Sequence, residues 1–330
     1  MIGASGYTGV ELIKILLRHE FFEITYFADS SGEERIERLY PAFRGVFEGK
    51  TERIDVDQIA KSCELAFLAL PHTRSMEVVP KLLDRGVKVV DLSADYRLTL
   101  KNYEKNYVKH TDPHNIQRAV YGLPELYREK IKGADLAANP GCYPTAAILA
   151  LAPFAKHFDK NMPVFVDAKS GVSGAGKKCS TNTHFVKINE NVFPYSPVVH
   201  RHAAEISQKL GELTEKEFEL TFVPHLLPVT RGMLVDCYFG LQKDLDPLEL
   251  LYDFYSKERF IRIVDSPPDV KSVAGTHFCD IFAMRNGSSV YICAAIDNLL
   301  RGASSSAVAN ANLMFDIEEG HALSEIAYIP

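Results

Sequence analysis

Several things are scarce in this chain of 330 residues. There is no basic block: 37 Lys+Arg stand against 43 Asp+Glu, a net charge of -6, which argues against a nucleic-acid groove. There is no long hydrophobic run either, since the longest, around Ala146 to Ala152, is too short to cross a bilayer and meets Pro153. The first residues lack the basic and apolar regions of a secretory signal, so no membrane partner and a cytoplasmic location are expected. Cysteine is sparse, with six residues and no CxxC pair, which speaks against a disulfide framework or a CxxC metal site and leaves free thiols. What is present is ordinary apolar material, 46% of residues, enough for the two cores that this length implies.

The opening, "MIGASGYTGV", sets Gly3, Gly6 and Gly9 ahead of Val10, Ile13, Leu16 and Leu17, which recur at helical spacing. Glycines at close-approach points followed by a helix N-terminus suit a pyrophosphate. The spacing, GxxGxxG, departs from the common GxGxxG, and a plain strand-to-helix turn is the alternative. A central strand normally feeds such a turn. A strand of several residues is expected before Gly3, so that Met1 is not the natural start or the strand is unusually short.

Downstream, "FEITYF", "ELAFLAL" and "VKVVDLSA" read as strands, with a helix in "TRSMEVVPKLLDRG". This alternation predicts a doubly wound, Rossmann-type parallel sheet. From about Asn161 strands follow one another in "PVFVDAKSG", "FELTFVPHLLP", "GMLVDCYFGL" and "SSVYICAAI", the pattern of an α+β domain with a largely antiparallel sheet. The end, "ASSSAVANANLMFDI", is helical again and is expected to return to the first domain. The reading is a dinucleotide-binding domain over 1–142 completed by about 301–330, and a substrate, catalytic and oligomerisation domain over 143–300.

"LAANPGCYPTAAILALAPF" places Cys142 in a Pro-Gly turn at a helix start, with Pro144 where a missing N–H costs nothing. The positive end of the helix dipole favours a thiolate nucleophile there. Cys63, Cys237 and Cys293 lie in apolar, strand-like sequence and read as core thiols. Cys179, beside Lys177 and Lys178, is the fallback nucleophile.

"GASGYTG", "DLSADYRL", "VYGLPELYRE", "NPGCYPT", "SGVSGAGKK", "HRHAAEI" and "DNLLRGA" stand in this order along essentially the whole chain. In this it resembles the N-acetyl-gamma-glutamyl-phosphate reductase family of arginine biosynthesis, which is related to aspartate-semialdehyde dehydrogenase. The resemblance implies a reversible NADP-dependent conversion of N-acetylglutamyl 5-phosphate to the 5-semialdehyde and phosphate through a thioester on Cys142. It implies His202 as acid/base, with His200 in reserve. If a helix begins near His202, Glu205 shares its face and orients or polarises the imidazole. A zinc site of His200, His202 and Glu205 has no evident further ligand, and no metal is expected.

The anionic substrate calls for cations, read as Arg97 and Arg201, with Asn139 as a further substrate contact. The resemblance assigns Gly3, Ser5, Gly6, Tyr7, Thr8, Gly9 and Ser30 to the cofactor, and Asn298 to its carboxamide. Ser173, Gly174 and Gly176 supply a glycine-rich loop near the nicotinamide, or else a flexible hairpin. A homodimer or homotetramer associating through the second domain is also implied.

The chain departs from the family in three places. Where the family commonly presents Ser-Arg to the 2′-phosphate, this chain has "FADSSGEER", and Asp29 at that place would favour NAD(H) over NADP(H). Serines in "RGASSSAVAN" replace a usual Gly-Gln, and His277 replaces a usual Asn. The rival readings are a semialdehyde dehydrogenase acting on aspartate or a lysine-pathway acyl phosphate, and a catalytically silent nucleotide sensor. "CYPT" points to the arginine branch, and a sensor has no need of Cys142, His202 and Glu205 together.

Overall fold

The computed structural model describes residues 1–214, 217–242 and 244–328. The chain divides into two compact units, Met1–Pro140 with Ala303–Leu323, and Gly141–Gly302 with Ser324–Pro330.

In the first unit, β1 (Leu65–Leu68), β2 (Lys88–Asp91), β3 (Val120–Tyr121) and β4 (Leu136–Ala138) form a parallel sheet in the order β1-β2-β4-β3. Their apolar runs are buried on both faces, as parallel strands under helices must be. Beyond β1, Ile2 bridges both Leu68 and Ala28, and Ala28 bridges Glu52, so the parallel order continues without regular ladders.

The strand expected in "FEITYF" therefore does not form. Met1 lies alongside it through Met1 N to Tyr26 O at 2.7 Å and Ala28 N to Met1 O at 2.9 Å, and Glu52 through Glu52 N to Phe27 O at 3.0 Å, pairings that make isolated bridges and no regular ladder.

Two helices of this unit position the opening turn. Helix Tyr7–Leu16 buries Leu12, Ile13, Ile15 and Leu16. Helix Ser305–Met314 is buried throughout and packs against it, which its small Ala, Ser and Asn side chains allow. Asp95 caps helix Ser75–Leu83, its carboxylate accepting from Ser75 N at 3.0 Å, and also accepts from Thr73 N at 2.8 Å.

The second unit is built on β5 (Val164–Gly171), β6 (Phe193–Pro194), β7 (Leu220–Leu227), β8 (Met233–Gly240), β9 (Ile261–Ile263), β10 (Cys279–Asn286) and β11 (Ser289–Ile296). The order is β6-β7-β5-β8-β11-β10-β9, antiparallel except for the pairs β5/β7 and β9/β10. On β5 the period of two sends Val164, Val166 and Ala168 inward and exposes Phe165 on the other face. Helix Cys142–Leu151 packs on β8 and β11, and helix His202–Gly211 on β7 and on the Cys142 helix. The four strand-rich stretches seen in the sequence are β5, β7, β8 and β11, which gives the mixed, largely antiparallel domain. Among the described residues no helix is long and apolar enough to cross a membrane.

Candidate active site

In the first unit the three opening glycines have different neighbours. A Cβ on Gly3, whose φ is +92°, would lie 2.3 Å from Ala69 O, and one on Gly9 would lie 2.4 Å from Gly3 O. Both are demanded by the fold itself. At Gly6 the one contact within 4 Å among the described residues is Gly3 O at 3.7 Å, so this glycine leaves room at the surface of the turn.

Gly6 is also the N-cap of helix Tyr7–Leu16, which has no side-chain cap and no acidic residue in its first turn. The helix dipole and N–H groups are thus directed at an open, anion-attracting surface, and the residues fit a dinucleotide pyrophosphate. The turn is pinned from outside, with Tyr40 Oη donating to Ser5 O and Ser304 Oγ to Thr8 O, each at 3.0 Å. Tyr7 projects into solvent beside them.

Asp29 follows the Ala28 bridge, where a ribose is usually met in this topology. Its carboxylate turns back into its own loop. Oδ1 accepts from Ser31 N at 3.0 Å, Ser31 Oγ at 3.0 Å and Gly32 N at 2.7 Å, and the residue is 5% exposed. Burial alone would raise this carboxyl, but the hydrogen bonds outweigh it and hold the group below its ordinary value. Ser30 stands exposed at the tip of the loop.

Arg97 and Asn139 lie at the carboxyl ends of β2 and β4. Arg97 is buried, with Nε donating to Asn139 O and Nη2 to Leu92 O, both at 2.7 Å. Asn139 Nδ2 donates to Ala303 O at 3.2 Å, and its Oδ1 accepts from Asn310 Nδ2 at 3.0 Å.

In the second unit Cys142 is the first residue of its helix, with Gly141 as N-cap and the thiol partly exposed. Gly302 closes on it, since a Cβ there would sit 2.6 Å from Cys142 Cβ. His202 opens the neighbouring helix, which meets the condition under which Glu205 shares its face. Glu205 is 2% exposed, and its Oε1 accepts the Gly141 N–H at 3.1 Å. The carboxylate of one helix thereby holds the turn that presents the thiol of the other.

His200 lies among aromatic rings, with Tyr195 at 5.4 Å, Phe222 at 5.5 Å, Tyr143 at 5.9 Å and His202 at 4.9 Å between centroids. Its Nδ1 accepts the His202 N–H at 3.2 Å. Burial, helped by the charge of Arg201, lowers its pKa to about 4. His200 is therefore a neutral cap at neutral pH, and its affinity for protons is ill matched to acid/base work there.

Tyr143 and Tyr195 bear on the site although sequence reasoning passed them over. Tyr195 Oη donates to Tyr143 Oη at 3.1 Å, and Tyr143 Oη to His225 O at 3.1 Å, which ties the residue after the thiol to β7. Burial raises both phenols, Tyr195 to about 12, so both stay protonated. Proximity of Tyr143 to the nucleophile was the available signal; nothing in the sequence joined Tyr195 to it.

Arg201 is exposed on the turn before His202. Ser173 and Gly174 lie in the turn Val172–Ala175, followed by Gly176 at φ +79°. The amide of Asn298 braces this loop, with Nδ2 donating to Ser173 Oγ at 3.0 Å and Oδ1 accepting from Gly232 N at 2.8 Å.

The remaining singled-out groups divide simply. Cys237 and Cys293 are buried, and burial pushes both thiols up, Cys293 to about 12, which makes them inert core residues. Cys179 is exposed. His277 is fully buried and held neutral by burial and by the Arg301 charge. Among the described residues no group of His, Cys, Asp and Glu is placed to hold a metal.

Comparison with known proteins decides the family. Residues 1–134 match the model of the semialdehyde dehydrogenase NAD binding domain, and residues 142–298 that of the semialdehyde dehydrogenase dimerisation domain. An N-acetyl-gamma-glutamyl-phosphate reductase of Sulfurovum sp. is 54% identical over 330 residues, covering 100% of this chain and 98% of that protein. The chain belongs to the N-acetyl-gamma-glutamyl-phosphate reductase family.

Further reductases of that name, from Campylobacter curvus and Aquifex aeolicus, are 56% and 43% identical, covering 99% and 100% of this chain and 97% and 98% of theirs. An aspartate semialdehyde dehydrogenase II of Vibrio cholerae complexed with ASA has the same fold, at TM-score 0.72 and 18% identity, covering 96% of this chain and 97% of its own. The chain is an oxidoreductase of the acyl-phosphate-reducing kind, and its cofactor is a nicotinamide dinucleotide.

Proposed function

We propose that the chain catalyses the reversible, NADP-dependent reductive dephosphorylation of N-acetylglutamyl 5-phosphate to N-acetylglutamate 5-semialdehyde and phosphate, in arginine biosynthesis. The observation that carries the reading is the Cys142 turn: a thiol at a helix N-terminus, roofed by Gly302 and held by Glu205 from the His202 helix.

The Cys142 thiolate attacks the acyl carbon; the C–S bond forms, the C–O bond to phosphorus breaks, and phosphate leaves with its electron pair. When bound, the nicotinamide supplies hydride to the thioester carbon. His202 protonates the oxyanion that results. It then takes the hydroxyl proton back as the C–S bond breaks, releasing the aldehyde and restoring the thiolate.

Glu205 fixes the distance between the two working groups through Gly141. Arg97 and Arg201 provide the cations for phosphate and carboxylate, and the carbonyl bonds of Arg97 set where its charge lies. Asn139 shapes the edge on which Arg97 rests. Gly3, Ser5, Gly6, Tyr7, Thr8 and Gly9 cradle the pyrophosphate, and Ser30 meets the ribose. Ser173, Gly174 and Gly176 close over the nicotinamide end, braced by Asn298.

NADP(H) is the preferred cofactor because Asp29 is spent on its own loop. The protein works in the cytoplasm, and it associates as a homodimer or homotetramer, an association that the match to a dimerisation domain supports.

Steady-state oxidation of N-acetylglutamate 5-semialdehyde with NADP is expected to require inorganic phosphate and to fall at least about a thousandfold in Cys142→Ala. Faster turnover with aspartate semialdehyde would move the substrate assignment, and turnover indifferent to phosphate would remove the acyl-phosphate chemistry.

A further inference from the structure

The sequence lacks an arginine directly after the second strand position, where this cofactor's 2′-phosphate is expected, and offers "ADSSGEER" instead. We infer that Arg53, brought in from the neighbouring segment, supplies the guanidinium that recognises the 2′-phosphate and so sets the preference for NADP(H). This inference rests on the NADP reading above.

Four observations in the first unit carry it. The backbone around Glu52 runs alongside Ala28 as a parallel bridge, and Asp29 N donates to Glu52 O at 3.1 Å, which delivers Arg53 to the Asp29 loop. Arg53 Nε donates to Ser31 O at 3.3 Å, so the head group lies against that loop. Its stem crosses Gly32, which has φ +67° and where a Cβ would lie 2.4 Å from Arg53 Cγ and 2.6 Å from Arg53 N. The glycine is thus required by the passage of the arginine.

The fourth observation concerns charge. With Asp29 buried and bonded by Ser31 N, Ser31 Oγ and Gly32 N, its carboxylate is held within its own loop. Nε is the only nitrogen of the Arg53 guanidinium bonded to the described residues, and the side chain is exposed. Its two terminal nitrogens present parallel N–H groups, the arrangement that binds phosphate oxygens in pairs. Arg35, the other arginine near this loop, is bonded to Glu37 through Nε at 2.5 Å.

The test is direct binding, followed by the fluorescence of the reduced nicotinamide, with NADPH and NADH as ligands and 2′,5′-ADP and 5′-AMP as competitors. Arg53→Met keeps the stem against Gly32 and removes the charge; Arg53→Gln is the second variant, and melting temperatures check folding. We expect Arg53→Met to weaken NADPH and 2′,5′-ADP by about 10- to 100-fold while NADH and 5′-AMP change less than about twofold. Arg53→Lys is expected to recover part of the loss. A folded variant that still prefers NADPH as strongly as the unaltered protein would overturn the inference alone. Equal affinity of the unaltered protein for NADPH and NADH would overturn the NADP reading and the inference with it.

Discussion

At the scale of single residues, the opening glycines divide their work. Gly3 and Gly9 are filled against backbone atoms, whereas a Cβ on Gly6 would meet Gly3 O at an ordinary contact distance of 3.7 Å. Gly9→Ala is therefore expected to lower the melting temperature by several degrees, because the clash is with main chain that cannot retreat. Gly6→Ala should melt within about two degrees of the unaltered protein yet bind NADPH about tenfold more weakly, its methyl standing where the pyrophosphate approaches. Calorimetry and cofactor titration on the two variants check this division; a Gly6→Ala protein with full affinity would contradict it.

The sequence could announce the turn, because glycine spacing before a helix is a local pattern. It could not say which glycine serves the ligand, since that depends on Ala69, sixty-odd positions away. Asp29 is a second case at this scale: its place in the chain suggested a ribose partner, but the direction of its carboxylate was set by the loop that follows it.

At the scale of elements, the two helices that open with Cys142 and His202 behave as one device. The N–H of Gly141 is buried, and Glu205 is its acceptor. Glu205→Ala should destabilise the protein by about 1–3 kcal/mol by stranding that N–H, and lower kcat by about a hundredfold by freeing the thiol's turn. Glu205→Gln keeps an acceptor oxygen, so it should recover most of the stability. Denaturant unfolding beside kcat reads both effects. A stable, slow Glu205→Ala protein would assign the residue to proton transfer alone.

The Cys142 helix start was legible from Pro144 after a Pro-Gly turn; the start at His202 entered the reading only as a condition for pairing it with Glu205. The bond between the two was not legible, because it joins residues sixty-four positions apart. The same limit hid Tyr195, whose hydroxyl meets that of Tyr143 only after β6 lays its segment along β7. The "FEITYF" segment shows the reverse: β propensity was present, but the pairing beside it, of Ala28 with Ile2 and Glu52, is by isolated bridges.

At the scale of the whole molecule, the alternation of strands and helices followed by strands in succession was enough to foresee a parallel sheet and a mixed one, since burial on two faces and on one face leave different hydrophobic patterns. The family was legible in the motifs, and the proposed function converges on a covalent acyl group held by Cys142.

The most direct test of that claim is a burst experiment without phosphate. On mixing the protein with N-acetylglutamate 5-semialdehyde and NADP, one equivalent of NADPH per active site should form and turnover should then stop. The protein's mass should rise by one N-acetylglutamyl group on Cys142, and added phosphate should restart the reaction. Sustained turnover without phosphate, or a burst that survives Cys142→Ala, would contradict the account.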